Sequence, residues 1–291
     1  MRRRAAVGLG ILGVGLVALL AIVWAVSRGE RLAGDRVALV AVEGLIADSR
    51  SVVEQLERYR TQPNVKALVV RIDSPGGAVA PSQEIYSGIL KFRERSGKPV
   101  VASMGRVAAS GGYYVAAAAN RIVANPGTIT GSIGVIMQLP NVSGLLQKMG
   151  ISTTVIKSGE FKDLGGAVRD LTPAERKVLQ DLLDDVHGQF IDAVAAGRKM
   201  DRTKVVSLAD GRVFSGRSAR ELGLVDELGD LRDAIARAAA LAGLQETPPV
   251  IQERRRSLWD LVWGAGAGAD RAFGFPVPAT SPTVDYLWSV R

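Results

Sequence analysis

The sequence predicts an α/β fold built on a mostly parallel sheet, and three features lead there. Short β-branched apolar runs alternate with amphipathic stretches of helical period. The runs are apolar almost throughout rather than at every second residue, as in strands covered on both faces. Gly-punctuated loops follow several of them, at the sheet edge where such folds carry their ligands.

From the N-terminus, Arg2-Arg3-Arg4 precede 22 residues without charge, Ala5 to Val26. A helix needs about 20 apolar residues to cross a ~30 Å hydrocarbon core, so this run spans. Trp24 falls near its far end, where an amphipathic ring favours the interface, and the arginines stay cytoplasmic and send the rest of the chain across. The run exceeds the about 7–15 apolar residues of a cleaved signal peptide, and Ala25-Val26-Ser27 is a poor cleavage site, so it reads as an uncleaved signal anchor. Gly8 to Gly13 spell G-x-G-x-x-G, but inside an apolar span rather than between a strand and a helix, so no dinucleotide site follows.

After a polar linker, Val37–Val42, Val65–Ile72, Val100–Met104, Ile122–Ala124, Ile133–Met137 and Thr153–Ile156 read as strands. Between them Ser51–Tyr59, Pro81–Arg95, Gly111–Ala119 and Leu139–Met149 read as helices. Thr172-Pro173-Ala174-Glu175 begins a further helix reaching about Arg198, with Thr172 as N-cap, Pro173 in the first helical position and Glu175 completing a capping box. Beyond Gly243, prolines, Arg254-Arg255-Arg256, a Gly-Ala run and Trp259 and Trp263 mark a tail that packs on a neighbour or a membrane surface. The expected division is residues 1–28 as Arg cluster and anchor, 29–245 as the folded domain, and 246–291 as the tail.

Composition removes several chemistries. The 291 residues contain no Cys, so there is no thiolate nucleophile, disulfide or cysteine-bound metal. One histidine, His187, excludes a His-rich metal site, and it lies among Asp184, Asp185 and Gln189 on a predicted polar helix face. The net charge of +8 owes much to the two Arg clusters, which lack the interleaved aromatics of a nucleic-acid module. No cofactor and no nucleic-acid partner are expected.

Three loops carry the chemistry. In Asp73-Ser74-Pro75-Gly76-Gly77, paired glycines let the backbone turn its N–H groups toward a ligand, as an oxyanion hole requires, or simply form a tight turn. Ala108-Ala109-Ser110-Gly111-Gly112 is a relaxed nucleophile elbow, in which small neighbours present a serine at a helix N-terminus; a packed serine N-cap is the plainer alternative. Lys157 to Asp163 follows a predicted strand. With His187 badly placed, lysine is the histidine-free partner for a nucleophilic serine. Of nine lysines only Lys157 and Lys162 stand at the ligand edge of the sheet, and spacing does not choose between them. Either would need desolvation, because deprotonating a lysine of ordinary pKa ~10.4 at pH 7 costs about 4.6 kcal/mol.

Taken together, Asp73-Ser-Pro-Gly-Gly77, Ser110-Gly-Gly-Tyr-Tyr114, Thr130-Gly-Ser-Ile-Gly134 and Lys157-Ser-Gly-Glu-Phe-Lys162-Asp163 resemble, in order and rough spacing, the short single-domain form of bacterial signal peptide peptidase A. The likeness runs from about Val37 to Gly243. It implies a Clp protease/crotonase-like fold of repeated ββα and βα units behind one N-terminal transmembrane helix, with a Ser–Lys dyad. In that pattern Ser110 is the nucleophile, Lys162 the general base and Ser132 the hydroxyl that orients the lysine amine. Gly77 gives the oxyanion-hole N–H, with that of Gly111 assisting. The likeness also implies a homo-oligomer whose serine and lysine come from adjacent protomers, an extracytoplasmic catalytic domain on the inner membrane, and signal-peptide remnants as substrates. The tail from Thr247 departs from the family pattern. The two rival readings are a crotonase-like acyl-CoA hydratase or isomerase, which has no use for an anchor or for Ser110 with Lys162, and a non-catalytic membrane scaffold.

Overall fold

The computed structural model describes residues 34–245, 247–253 and 285–287. Among them no helix is long and apolar enough to cross a membrane, and the anchor expected over Ala5–Val26 lies outside the described residues.

The core is an eight-stranded sheet. Its central strands are β1 (Arg36–Glu43), β2 (Val65–Ser74) and β4 (Val100–Ala109), in the order β1-β2-β4 and mutually parallel. The short β3 (Gly76–Ala78) lies outside the main sheet. β4 divides its far edge: Val101–Met104 pairs with β5 (Arg121–Ala124), and Val107–Ala109 with β6 (Ile129–Gly131). Side chains alternate across β1. Val37 and Leu39 join Val69, Val101 and Val123 in one core, and Ala38, Val40 and Val42 join Leu68, Val70 and Ile72 in the other. Both faces are therefore buried, which is why these strands read as unbroken apolar runs.

The larger core is covered by α1 (Arg50–Thr61), α2 (Val79–Ser96), the short α3 (Gly111–Ala117) and, outside α3, a helix beginning at Pro173. With the six-residue α4 (Ser143–Lys148) between them, this long helix is α5 (Pro173–Arg198). Its capping box is as expected: Glu175 N–H donates to Thr172 Oγ1 at 3.2 Å and Thr172 N–H donates to the Glu175 carboxylate at 2.9 Å. α5 crosses α3 so closely that a Cβ on Gly197 would fall 2.0 Å from the Ala117 carbonyl oxygen. Phe190 meets the Tyr114 ring at 4.9 Å between centroids in the same crossing.

The remaining elements close the edges. α6 (Arg202–Leu208), β7 (Val213–Ser215), α7 (Gly216–Leu222) and β8 (Glu227–Leu228) follow α5, with β7 antiparallel to β6 and β8 parallel to β5. α8 (Leu231–Leu241) supplies Ala234, Ala238 and Ala239 to the smaller core, on the opposite face from α1–α3. The expected tail enters the fold twice. β9 (Val250–Gln252) pairs with β1, and β10 (Asp285–Leu287) pairs with β3.

Three sequence expectations are corrected. Ile133–Met137 is not a strand; the sheet instead takes Ile129–Gly131, just before it, and Ile133 is buried as a loop residue. Thr153–Ile156 forms no strand: it pairs with no strand among the described residues and is exposed, Ile156 by 96%. The helix expected over Leu139–Met149 shortens to Ser143–Lys148. β-branched composition signals a strand only where a partner edge exists.

Candidate active site

The site grows from the C-terminal end of β4. The strand runs on to Ala109, and Ser110 then turns the chain into α3 with φ +53° and ψ −118°. That conformation is costly for a residue with a Cβ, by about 1–3 kcal/mol, and persists only where its surroundings impose it. Here they do: the Ser110 N–H donates to the Gly131 carbonyl at 2.8 Å, and the Tyr114 N–H donates to the Ser110 carbonyl at 2.8 Å. The residue is 1% exposed. Among the described residues only Ser110, Ser132 and Lys199 combine a side chain with positive φ, and Lys199 is simply the left-handed C-cap of α5. The other two are the serines singled out from sequence.

The paired glycines after Ser110 are required by close approach. A Cβ on Gly111 would lie 2.6 Å from Ser82 Oγ and 3.3 Å from both Gly76 Cα and Gly77 N; one on Gly112 would lie 2.9 Å from the Ser74 carbonyl oxygen. The helix start is thus nested on the Ser74–Gly77 loop, and the backbone amides of Gly77 and Gly111 share one small region beside Ser110. Ser74 fixes the loop by accepting the Gly76 N–H on its hydroxyl at 3.0 Å.

β3 has two edges. On one, the Ile46 N–H donates to the Gly76 carbonyl at 2.9 Å and the Ala78 N–H donates to the Ile46 carbonyl at 2.8 Å. This contact is tight enough that a Cβ on Gly77 would fall 2.3 Å from the Ile46 carbonyl oxygen. Successive backbone groups alternate in direction, so the N–H and C=O of Gly77 point to the opposite edge. That edge carries an extended piece of the chain itself: β10 runs antiparallel with Tyr286 opposite Gly77 and Leu287 opposite Gly76.

Ser132 follows the residue whose carbonyl holds the Ser110 N–H, has φ +50°, and donates its own N–H to the Arg212 carbonyl at 2.8 Å. Ser110, Ser132, Gly77 and Gly111 are therefore gathered by one framework of backbone bonds and close contacts. His187 lies in α5, and no hydrogen bond joins it to Ser110.

Lys162 is not gathered with them. It occupies an exposed turn, its N–H donating to the Gly159 carbonyl at 3.1 Å, and no hydrogen bond joins its ammonium to Ser110 or Ser132 within the chain. The two lysines of this loop are nonetheless distinguished. Lys157 donates to Asp163 at 2.6 Å and to the Glu160 carbonyl at 2.7 Å, whereas Lys162 has no ion pair among the described residues. Asp163 lies well below the usual carboxylate range, first through its bond from Arg169 and then through Lys157. The same Arg169 grips the buried Glu175 carboxylate, which is pulled down to about 2 by that guanidinium and then by the Thr172 N–H. Arg169 carries no local sequence signal, and Ser74, although inside the Asp73–Gly77 motif, shows its bond to Gly76 only in space.

The arm that bears Lys162 is apolar and uncovered. Leu145 is 58% exposed, Met149 63% and Ile156 96%, with Ile151 and Phe161 also exposed.

Comparison with known proteins agrees with the geometry. A family model described as Peptidase family S49 matches residues 92–245. "Putative protease slr0021" of Synechocystis sp. is 49% identical over 210 residues, covering 72% of this chain and 75% of that protein. "Protease 4" of Salmonella typhi is 34% identical over 248 residues, 82% of this chain and 40% of its own. "Serine protease SPPA, chloroplastic" of Arabidopsis thaliana is 37% identical over 231 residues, 77% of this chain and 34% of its own.

Proposed function

The chain belongs to peptidase family S49 and is a serine protease, and from that premise we propose a membrane-anchored peptidase that degrades signal-peptide remnants with Ser110 as nucleophile and Lys162 as general base. The observation that carries this reading is the strained Ser110 turn nested on Gly76-Gly77. It sets a hydroxyl at a helix start beside two converging backbone amides, the parts an acyl transfer needs.

In the proposed reaction neutral Lys162 takes the Ser110 proton as Oγ attacks the substrate carbonyl. The Gly77 and Gly111 N–H groups hold the oxyanion, protonated Lys162 passes its proton to the departing amine, and water hydrolyses the acyl-enzyme. Ser132 orients the lysine amine. The substrate takes the place of β10 along the outer edge of β3 as an antiparallel strand, the mode supported by the way β10 pairs there. Because Lys162 stands away from Ser110 within a chain, the dyad is completed by an adjacent copy. The uncovered apolar arm supports this, since docking would bury Ile156 and Phe161 and withdraw the neighbouring lysine from water.

The anchor is assigned to Ala5–Val26 and the catalytic domain to the extracytoplasmic side. An anchored protease with an extended-strand edge suits apolar peptides left in the bilayer. The test is incubation of the full-length protein in detergent with a synthetic signal peptide and, separately, with unfolded casein, each followed by mass spectrometry. Fragments of the signal peptide, with an acyl adduct at Ser110 from a serine-directed inhibitor, are expected. Casein cleavage with an intact signal peptide would reject the substrate assignment and leave the protease standing.

Gly77→Ala tests the oxyanion role. Its Cβ would collide with the Ile46 carbonyl and push β3 out of register, so kcat should fall by about 10²–10³ as for loss of one oxyanion donor. Inhibitor acylation of Ser110 should slow in parallel. Unchanged kcat would remove Gly77 from the site.

A further inference from the structure

A base lysine needs to be uncharged when it acts, yet the residue after Lys162 is an aspartate. A carboxylate within about 4–6 Å favours the ammonium form by 1–3 pKa units, which would silence the base at neutral pH. In the structure Asp163 is fully engaged elsewhere. Arg169 Nε donates to its Oδ2 at 2.8 Å and Lys157 Nζ to its Oδ1 at 2.6 Å. Arg169 is in turn fixed by a two-pronged bond to Glu175, which is 2% exposed and locked into the capping box of α5. Its Nη1 also donates to the Asp170 carbonyl at 3.0 Å, while the Asp170 side chain accepts from Asn141.

We propose that Arg169 is a positioning residue that holds Asp163 away from Lys162, so that the lysine stays free of a carboxylate partner and is presented on a loop tied to α5. The inference rests on the reading of Lys162 as base. Every charged group around Asp163 fits it. Lys157 and Arg169 point inward to the carboxylate, Glu175 balances the second charge of the cluster, and Lys162 makes no ion pair among the described residues, nor does Glu160, whose backbone carbonyl accepts from Lys157. The tie also anchors the loop. α5 packs on α3, so Arg169 fastens the loop of the base to the folded domain of its own chain.

The experiment compares Arg169→Gln, Arg169→Lys, Asp163→Asn and the double variant Arg169→Gln/Asp163→Asn, by the pH dependence of kcat/KM in the assembled full-length protein. Arg169→Gln leaves Asp163 with Lys157 of the same exposed loop and without its tie to α5, so Oδ2 is free to turn on Lys162; the acidic limb should move up by about one pH unit and kcat/KM at pH 7 should drop about tenfold, with KM unchanged. Removing the carboxylate in the double variant should return the limb to its wild-type position. Arg169→Lys and Asp163→Asn alone should leave the limb in place. The limb position is the readout, because a loop that is merely loosened loses amplitude without moving the limb, and a second lesion does not repair it.

A moved limb in Arg169→Gln that Asp163→Asn fails to restore overturns the proposal, as does an unmoved limb together with an unmoved Lys162 amine. A second measurement separates it from the base assignment. ¹³C-dimethylation of the lysines, with the Lys162 signal assigned through Lys162→Arg, follows that amine directly by NMR against pH. If its midpoint shifts in Arg169→Gln and returns in the double variant while catalysis is unaffected, the decoy by Asp163 stands and Lys162 is not the base. If the midpoint does not respond, the proposal fails whatever the kinetics.

Discussion

Ser110→Ala is expected to lower kcat/KM for peptide hydrolysis by about 10⁴–10⁶-fold and to abolish acylation by serine-directed inhibitors, as loss of a serine nucleophile does elsewhere. No substitute nucleophile is at hand. The chain has no cysteine, and Ser132, the other strained serine, is held to Arg212 and is not the residue that caps α3. The fold should survive, because the backbone bonds at Ser110 are made by its N–H and C=O rather than its side chain. Strain gives a second arm. Ser110→Gly should be equally inactive yet more stable, by about 1 kcal/mol, since only glycine accepts φ +53° with ψ −118° without penalty. An inactive variant that also melts higher would locate the strain in function rather than in folding. Activity in Ser110→Ala above a few per cent of wild type would remove Ser110 as nucleophile.

The fold was legible where burial is symmetric and the signal local. β1 and β2 read as strands because both faces are covered, and α5 read correctly from Thr172 and Glu175 because a capping box lies within four residues. β4 was cut short at Met104, since Gly105 looks like a turn, although the strand continues to deliver Ser110. Ile133–Met137 and Thr153–Ile156 failed because a strand depends on a partner that composition does not name. The pairing of β10 with β3 joins the far end of the chain to Gly76–Ala78, and no periodicity announces a contact of that span.

The site divides the same way. Gly77 and Gly111 stand in short motifs whose small residues are demanded by contact, and the structure gathers them with Ser110 and with Ser132, which the family resemblance alone named. Sequence spacing left Lys157 and Lys162 equivalent; their environments separate them, one ion-paired and one not. Membership of a peptidase family sets aside the acyl-CoA hydratase reading.

Lys162→Ala should be as inactive as Ser110→Ala, about 10⁴-fold or more, because without a base the serine proton has nowhere to go. Lys157→Ala should lose far less, since Asp163 keeps Arg169. The informative step is to mix the two dead proteins. If serine and lysine meet across an interface, a Lys162→Ala protomer still offers Ser110 and a Ser110→Ala protomer still offers Lys162. In a randomly mixed 1:1 assembly with head-to-tail contacts, about one interface in four then carries both intact residues, and about a quarter of wild-type activity should return. Recovery should need subunit exchange, so co-refolding or co-expression restores activity while brief mixing of assembled variants does not. Failure to recover in assemblies shown to be mixed would mean that each chain completes its own dyad. The arm bearing Ile156 and Phe161 would then have to fold back on its own Ser110 rather than reach a neighbour. A charged substitution distinguishes these outcomes: Ile156→Asp should block both assembly and activity if the arm docks on another copy, and activity alone if it folds back.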